Sequence, residues 1–253
     1  QELLDQVALF AGVLEGQGVQ KGDRVLIYMP MIPQAVVAML ACARIGAIHS
    51  VVFGGFASSE LAVRIQDARP TVIVTTSGGL EPARAVEYLP LVERALTIAG
   101  EGCSVTSVIV RRRDLIPGSA ADYAGTSDVA WLDWDELEEQ ARPAAPVPVK
   151  AEDPLYILYT SGTTGNPKGI VRDSGGYLVG LQWAMTHIYD FGPGDTMFTA
   201  SDVGWVVGHS FIVYGPLIAG GTTVLYEGKP VGTPDAGTFW RVVNEHGAKT
   251  MFT

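Results

Sequence analysis

Residues 159–169 read YTSGTTGNPKG, and their types and spacing could hold a phosphate chain. Gly162, Gly165 and Gly169 can adopt positive φ and let backbone amides come close to an anion, while Pro167 restricts how far the loop wanders. Thr160, Ser161, Thr163 and Thr164 add hydroxyl donors able to follow charge as it redistributes over a polyphosphate. Lys168 adds a mobile cation. The loop follows the apolar run Leu155–Tyr159, which has the character of a buried strand. Such a loop suits a nucleotide.

The spacing is not that of a Walker A loop. Asn166 and Pro167 separate Gly165 from Lys168, and Gly169 stands where a Walker loop has the hydroxyl that holds Mg²⁺. The string instead resembles the signature loop of the adenylate-forming enzymes, the superfamily of acyl-CoA synthetases, peptide-synthetase adenylation domains and luciferases. FTASDVGWVVGHSFIVYGPLIAGGTTVLYEG, residues 198–228, is similar to the carboxylate-pocket segment of the short-chain acyl-CoA synthetases, and VVFGGF, residues 51–56, resembles a CoA-side loop of the same enzymes. GIVRDSGGY and GKPVGTPDAGTFWRVV look closer to propionyl-CoA synthetases than to acetyl-CoA synthetases.

The resemblance implies ligation of a short-chain carboxylate to CoA. The carboxylate attacks the α-phosphate of Mg-ATP to give an acyl-adenylate and pyrophosphate, and the CoA thiol then displaces AMP. Carried over by position, Thr160, Ser161, Gly162, Thr163, Thr164, Gly165 and Lys168 would grip the β- and γ-phosphates, with Lys168 and Thr163 the catalytic candidates. Trp205, Val206 and Val207 would line the acyl pocket. Position 207 is usually threonine in acetyl-CoA synthetases, so valine there favours propionate over acetate. Arg84, in GGLEPARAVEYLP, aligns with an arginine that holds the CoA 3′-phosphate, and Phe53, Gly54 and Gly55 fall where the CoA adenine would lie. Glu81 occupies a second, normally basic position of that site.

The family pattern also includes an adenine-binding segment, an acidic residue for Mg²⁺, a ribose-binding aspartate and a small C-terminal domain with a lysine that assists adenylation. All are expected beyond Thr253. Residues 1–253 would then be an incomplete N-terminal AMP-binding domain, inactive alone and lacking the remainder of its own chain. Two other readings remain open: an acetate ligase, and a non-catalytic nucleotide-binding piece. A phosphotransferase using the glycine loop alone is disfavoured by Gly169.

Composition narrows the partners. The formal net charge of −10 argues against nucleic-acid or anionic-membrane partners, which need a basic face. Anionic ATP and CoA must be met by local positive features. Four dispersed histidines and two cysteines offer no metal-ligand spacing, so no metal site is expected within the chain. Cys42 and Cys103 are expected as thiols, the start of the chain lacks a signal-peptide pattern, and no apolar run reaches the roughly 20 residues of a membrane span. A cytoplasmic enzyme of small-molecule substrates is the expectation. His209 has no identifiable carboxylate partner, and a carboxylate nucleophile needs no general base.

The elements that must position these residues alternate between strand and helix. Strands are expected at 24–29, 47–53, 72–75, 106–110, 155–159, 196–199, 222–226 and 250–252. Helices are expected at 3–16, 33–45, from Ser58 and Ser59 as caps, at 81–95, 132–140, 174–189, 205–218 and 235–246. Residues 111–131 read as a surface excursion. The proline-rich stretch 141–154 reads as a connection between a first α/β subdomain, 1–140, and a second, 155–253. The alternation predicts an α/β fold of parallel sheets flanked by helices, with ligands at the carboxyl ends of the strands.

Overall fold

The computed structural model describes residues 1–81, 84–125, 128–160, 167–228 and 234–253. Along the chain run α1 (Glu2–Gly16), β1 (Arg24–Tyr28), α2 (Pro33–Arg44), β2 (Ile48–Val51), α3 (Ser58–Ala68) and β3 (Val72–Thr76). There follow β4 (Gly78–Glu81), β5 (Arg84–Glu87), α4 (Leu89–Ala99), β6 (Ser107–Arg111), β7 (Ala130–Asp133), α5 (Trp134–Gln140), β8 (Pro154–Thr160), β9 (Lys168–Asp173) and α6 (Gly175–His187). The last elements are β10 (Thr196–Thr199), α7 (Val206–Gly208), a π-helical segment His209–Tyr214, α8 (Gly215–Ile218), β11 (Thr222–Val224), α9 (Thr238–Glu245) and β12 (Thr250–Phe252).

A seven-stranded sheet has the order β7-β6-β3-β1-β2-β8-β9, parallel except for the antiparallel β8–β9 pair at one edge. Alternate residues of its central strands feed two cores. Val25 and Ile27 of β1, Val72 and Val74 of β3 and Ile109 of β6 join α1 and α2 on one face. Leu26 and Tyr28, Ile73, and Val108 and Val110 join α3 and α4 on the other. A strand buried on both faces has no solvent side, which is why these runs are continuously apolar. Both faces covered, with crossovers between parallel strands, is the α/β arrangement expected.

Local chemistry sets several boundaries. Pro33 sits at the first turn of α2 and Pro90 at that of α4, where a missing N–H costs nothing. Asp133 caps α5 by accepting from the amides of Asp135 and Glu136. Neither serine caps α3: Ala57 is its cap residue, and Ser58 is already helical.

The helix expected at 81–95 is instead a hairpin followed by a shorter helix. β4 and β5 pair antiparallel with Gly79 opposite Val86 and Glu81 opposite Arg84, and α4 starts only at Leu89. The RAVE segment alternates side chains across a small ribbon, with Val86 packed against the second core. Two edge strands, β7 and β9, were not anticipated. β9 is exposed along nearly its whole length, so its apolar Ile170 and Val171 carry no burial alternation.

The proline-rich stretch lies along the first helices. Ala144 N–H donates to the carbonyl of Ala8, Val147 N–H to that of Arg44, and the Arg44 side chain returns a bond to Ala144 O at 2.8 Å. Strands β8 and β9 beyond it complete the large sheet. The second sheet, with order β11-β10-β12 and all pairs parallel, therefore begins at β10. No helix among the described residues is long and apolar enough to cross a membrane.

Candidate functional site

The ends of the glycine- and threonine-rich loop expected to hold phosphate are joined by the β8–β9 ladder. Thr160 and Lys168 are cross-strand partners and Tyr159 pairs with Gly169, so the loop is presented from a fixed base. Both Thr160 and Lys168 are exposed. Ser161, Gly162, Thr163, Thr164 and Gly165 lie outside the described residues. Tyr159 is buried, and its hydroxyl donates to Asp67 Oδ2 at 2.5 Å, which ties β8 to the end of α3.

A cleft of about 260 Å³ opens at the carboxyl ends of strands from both sheets. Met31 follows β1, Phe53 follows β2, Ala200, Ser201, Asp202 and Trp205 follow β10, Tyr226 and Gly228 follow β11, and Phe239 of α9 completes the lining. Backbones approach closely here. A Cβ on Gly204 would fall 2.8 Å from Phe53 Cα, so only glycine lets the segment after β10 pass against the loop after β2. Asp202 shapes that segment, its Oδ1 accepting from Gly204 N–H at 2.7 Å and its carbonyl from Trp205 N–H at 3.0 Å. The ring centroids of Phe53 and Trp205 then stand 5.6 Å apart.

A smaller recess adjoins the cleft, shared by Phe53, Gly54, Gly55, Glu81, Tyr88 and Glu227 among others. A Cβ on Gly54 would lie 2.1 Å from the Tyr88 hydroxyl, which fills the space a side chain would need. The Tyr28 hydroxyl donates to the carbonyls of Phe56 at 2.8 Å and Gly54 at 3.3 Å, fixing the loop from below. Burial pushes the phenols of Tyr28 and Tyr88 well above their ordinary range, so both remain protonated donors. Arg113 makes a two-pronged pair with Glu227, at 2.6 and 2.7 Å, and joins the end of β6 to the segment after β11.

Of the residues expected from sequence, the structure brings together Phe53, Gly54, Gly55 and Trp205. Val206 and Val207 occupy the turn after Trp205, the first exposed and the second half-buried, and neither is among the residues lining the cleft. Arg84 is exposed on the β4–β5 hairpin opposite Glu81 and lines neither cavity. Asp202, Tyr226, Phe239 and Tyr88 were not singled out by sequence reasoning. Tyr226 lay within the pocket-like segment, whereas Tyr88 carried no local signal.

Beneath Trp205 lies a buried polar-aromatic cluster. His209 Nδ1 is 3.1 Å from the carbonyl of Trp205, so that nitrogen carries the proton. His49 Nε2 meets the Tyr214 hydroxyl at 2.6 Å, and the rings of His49, Tyr156 and His209 pack within 5.5 Å of one another. Burial lowers both histidines, His209 to about 4, and both are neutral near pH 7. No group of three His, Cys, Asp or Glu among the described residues is placed to hold a metal ion. Cys42 and Cys103 are unpaired thiols.

With this geometry in view, comparison with known proteins defines the class. The family model described as AMP-binding enzyme matches residues 1–253, and the chain belongs to that family. It is 57% identical over 256 aligned residues to acyl-CoA synthetase short-chain family member 3, mitochondrial, of Bos taurus, covering 100% of this chain and 36% of that relative. It is 48% identical to acetyl-coenzyme A synthetase of Rhizobium rhizogenes, covering 100% of this chain and 38% of that relative. Acetoacetyl-CoA synthetase from Streptomyces lividans superposes with a TM-score of 0.85 at 33% identity, over 99% of this chain and 36% of that one. The chain thus spans little more than a third of the relatives it matches.

Proposed function

We propose that the whole protein is a short-chain acyl-CoA synthetase, with propionate its preferred acid. A carboxylate oxygen attacks the α-phosphorus of Mg-ATP, and pyrophosphate leaves with the electron pair of the broken P–O bond. The CoA sulfur then attacks the acyl carbon, AMP leaves, and the thiol proton passes to solvent. Both steps are chiefly positioning and charge stabilisation. The observation that carries the reading is the apolar cleft walled by Phe53 and Trp205 at the carboxyl ends of the parallel strands, in a chain whose β8–β9 hairpin presents Thr160 and Lys168 at the base of a glycine- and threonine-rich loop.

The relatives named as short-chain acyl-CoA and acetyl-CoA synthetases support this class. Propionate rather than acetate is favoured by the apolar lining, to which Met31, Phe53, Trp205 and Phe239 contribute, and by the family resemblance at position 207, although Val207 itself lies outside that lining. Acetate is the alternative, supported by the acetyl-coenzyme A synthetase relative. Thr160, Ser161, Gly162, Thr163, Thr164, Gly165 and Lys168 are proposed for the ATP phosphates. Phe53, Gly54, Gly55 and Arg84 are proposed for CoA.

Carboxylate-dependent ATP–pyrophosphate exchange by the full-length protein, with acetate, propionate and butyrate in parallel, is the test. Strongest exchange with propionate supports the reading in full, and strongest exchange with acetate moves it to the alternative. ATP loss independent of any carboxylate overturns it.

A further inference from the structure

Arg64 of α3 is only 4% exposed, a rare position for an arginine. Its Nη1 donates to the carbonyl oxygen of Glu60 at 2.6 Å and to Glu60 Oε2 at 2.9 Å, one turn back on the same helix. Held there, its guanidinium carbon stands 4.7 Å from the ring centroid of Phe56 and 5.4 Å from that of Tyr159. A planar cation beside two aromatic rings is attracted by both, and burial limits the screening that weakens such contacts at a surface.

The two rings belong to different parts of the site. Phe56 closes the loop after β2 and meets Phe53 edge-on at 5.6 Å and Trp205 edge-on at 6.2 Å, the two rings that wall the cleft. Tyr159 immediately precedes Thr160 at the base of the phosphate loop. Its position is fixed independently, by its bond to Asp67 and its pairing with Gly169. The backbone of Phe56 is held by Tyr28, but its ring is set by what packs around it, and Arg64 is the charged member of that packing.

We propose that Arg64 is a positioning residue for acyl-adenylate formation. Referenced to Tyr159, it sets the Phe56 ring and through it the Phe53–Trp205 wall, keeping the carboxylate cleft in register with the strand that carries the phosphate loop. This role rests on the acyl-CoA synthetase reading given above. Lysine cannot replace it, because a compact ammonium lacks the extended, delocalised charge that stands near both rings while bonding Glu60.

The test uses the full-length protein with Arg64→Lys, Arg64→Met, Phe56→Leu and the Arg64→Met/Phe56→Leu pair. Steady-state pyrophosphate exchange gives KM for propionate and for ATP separately, and amide hydrogen exchange without substrate follows residues 53–57 and 155–160. Arg64→Lys and Arg64→Met are each expected to raise the propionate KM about tenfold and leave the ATP KM within about twofold, the range of a modest loss of packing at a pocket. Amides 53–57 are expected to exchange about tenfold faster while 155–160 stay protected. The double variant is expected to be no worse than Arg64→Met, because both changes remove one linkage.

An unchanged propionate KM in both Arg64 variants overturns the proposal, as does a double variant whose losses multiply. Equal rises in both KM values with protection lost at both segments also overturn it, since that marks general damage. If Arg64→Met does not fold, Arg64→Lys decides. Wild-type protein without carboxylate-dependent exchange defeats the functional reading instead, and the hydrogen-exchange pattern then still decides whether Arg64 holds the loop.

Discussion

The ring of Trp205 leans at 37° against that of Phe53 with centroids 5.6 Å apart, although the two residues follow strands of different sheets. This contact closes one side of the cleft across the sheet boundary. Trp205 is 44% exposed, so the face it turns to solvent is available to a bound acid. Trp205→Ala removes that wall. The expected result is a fall of about tenfold in kcat/KM for propionate, with relative gains for longer acids, at the low end of the roughly 1–3 kcal/mol that contact to one methylene in an apolar pocket supplies. A series from acetate to hexanoate in the exchange assay checks it, and an equal loss for every acid would show that Trp205 does not bound the acyl chain.

Gly54 owes its identity to Tyr88. Gly54→Ala would force a methyl group to within 2.1 Å of the Tyr88 hydroxyl, in a loop held by Tyr28. The expected cost is about 1–3 kcal/mol, typical of overpacking. Adding Tyr88→Phe should recover part of it, because the nearest atom is gone while the ring carbon at 2.9 Å remains. Thermal unfolding of the three variants decides; no recovery in the double variant would place the strain elsewhere.

The central strands could be read directly from sequence because their signals are local. Continuous apolar runs such as Val25–Tyr28 mark strands buried on both faces. The glycines, hydroxyls and lysine of 160–169 mark a proposed anion loop by the same kind of local signal, but its tip lies outside the described residues. The β4–β5 hairpin was hidden because Arg84–Glu87 suits a helix as well as a strand until Gly79 and Val86 face each other. Long-range packing was hidden for a different reason. Nothing near Gly54 announces the Tyr88 hydroxyl, and nothing near Arg64 announces Tyr159, so only the folded chain shows why those residue types stand there. The pairing of Phe53 with Trp205 was approached through family resemblance, which assigned them to different substrates; their contact makes them one wall.

Acid should loosen the core beneath the cleft. Burial lowers His209 from 6.5 to about 4, opposed in part by its bonds to the backbone of Trp205 and Val203, and His49 is lowered in the same direction by burial and by His209. The unfolded chain takes up a proton on each histidine below about pH 6.5, whereas the native chain holds them neutral. Between pH 6.5 and about 4 the unfolded state therefore binds more protons, and the stability present above that window is lost as pH falls, by roughly 3 kcal/mol for His209. His209→Asn keeps a donor for the Trp205 carbonyl but does not titrate. Urea unfolding across pH 7.5 to 4.5 should show the variant less stable at neutral pH but with a shallower acid decline. Parallel curves would mean that His209 takes up its proton without unfolding.

Among the residues proposed for the ATP phosphates, Lys168 is a side chain whose removal should spare the fold. It is exposed at the first position of β9, and its backbone pairing with Thr160 does not depend on the ammonium group. Lys168→Ala should leave stability within about 0.5 kcal/mol, the usual range for a surface change. In the proposed reaction the same variant removes a cation from the base of the glycine- and threonine-rich loop, where charge would shift toward the departing pyrophosphate. Loss of one such preorganised group commonly costs about 10²–10³ in kcat. Exchange rates in the full-length protein, read beside thermal unfolding of the same preparations, separate the two effects: a stable variant with a rate lowered by that factor assigns Lys168 to the chemistry, and a stable variant with an unchanged rate removes it.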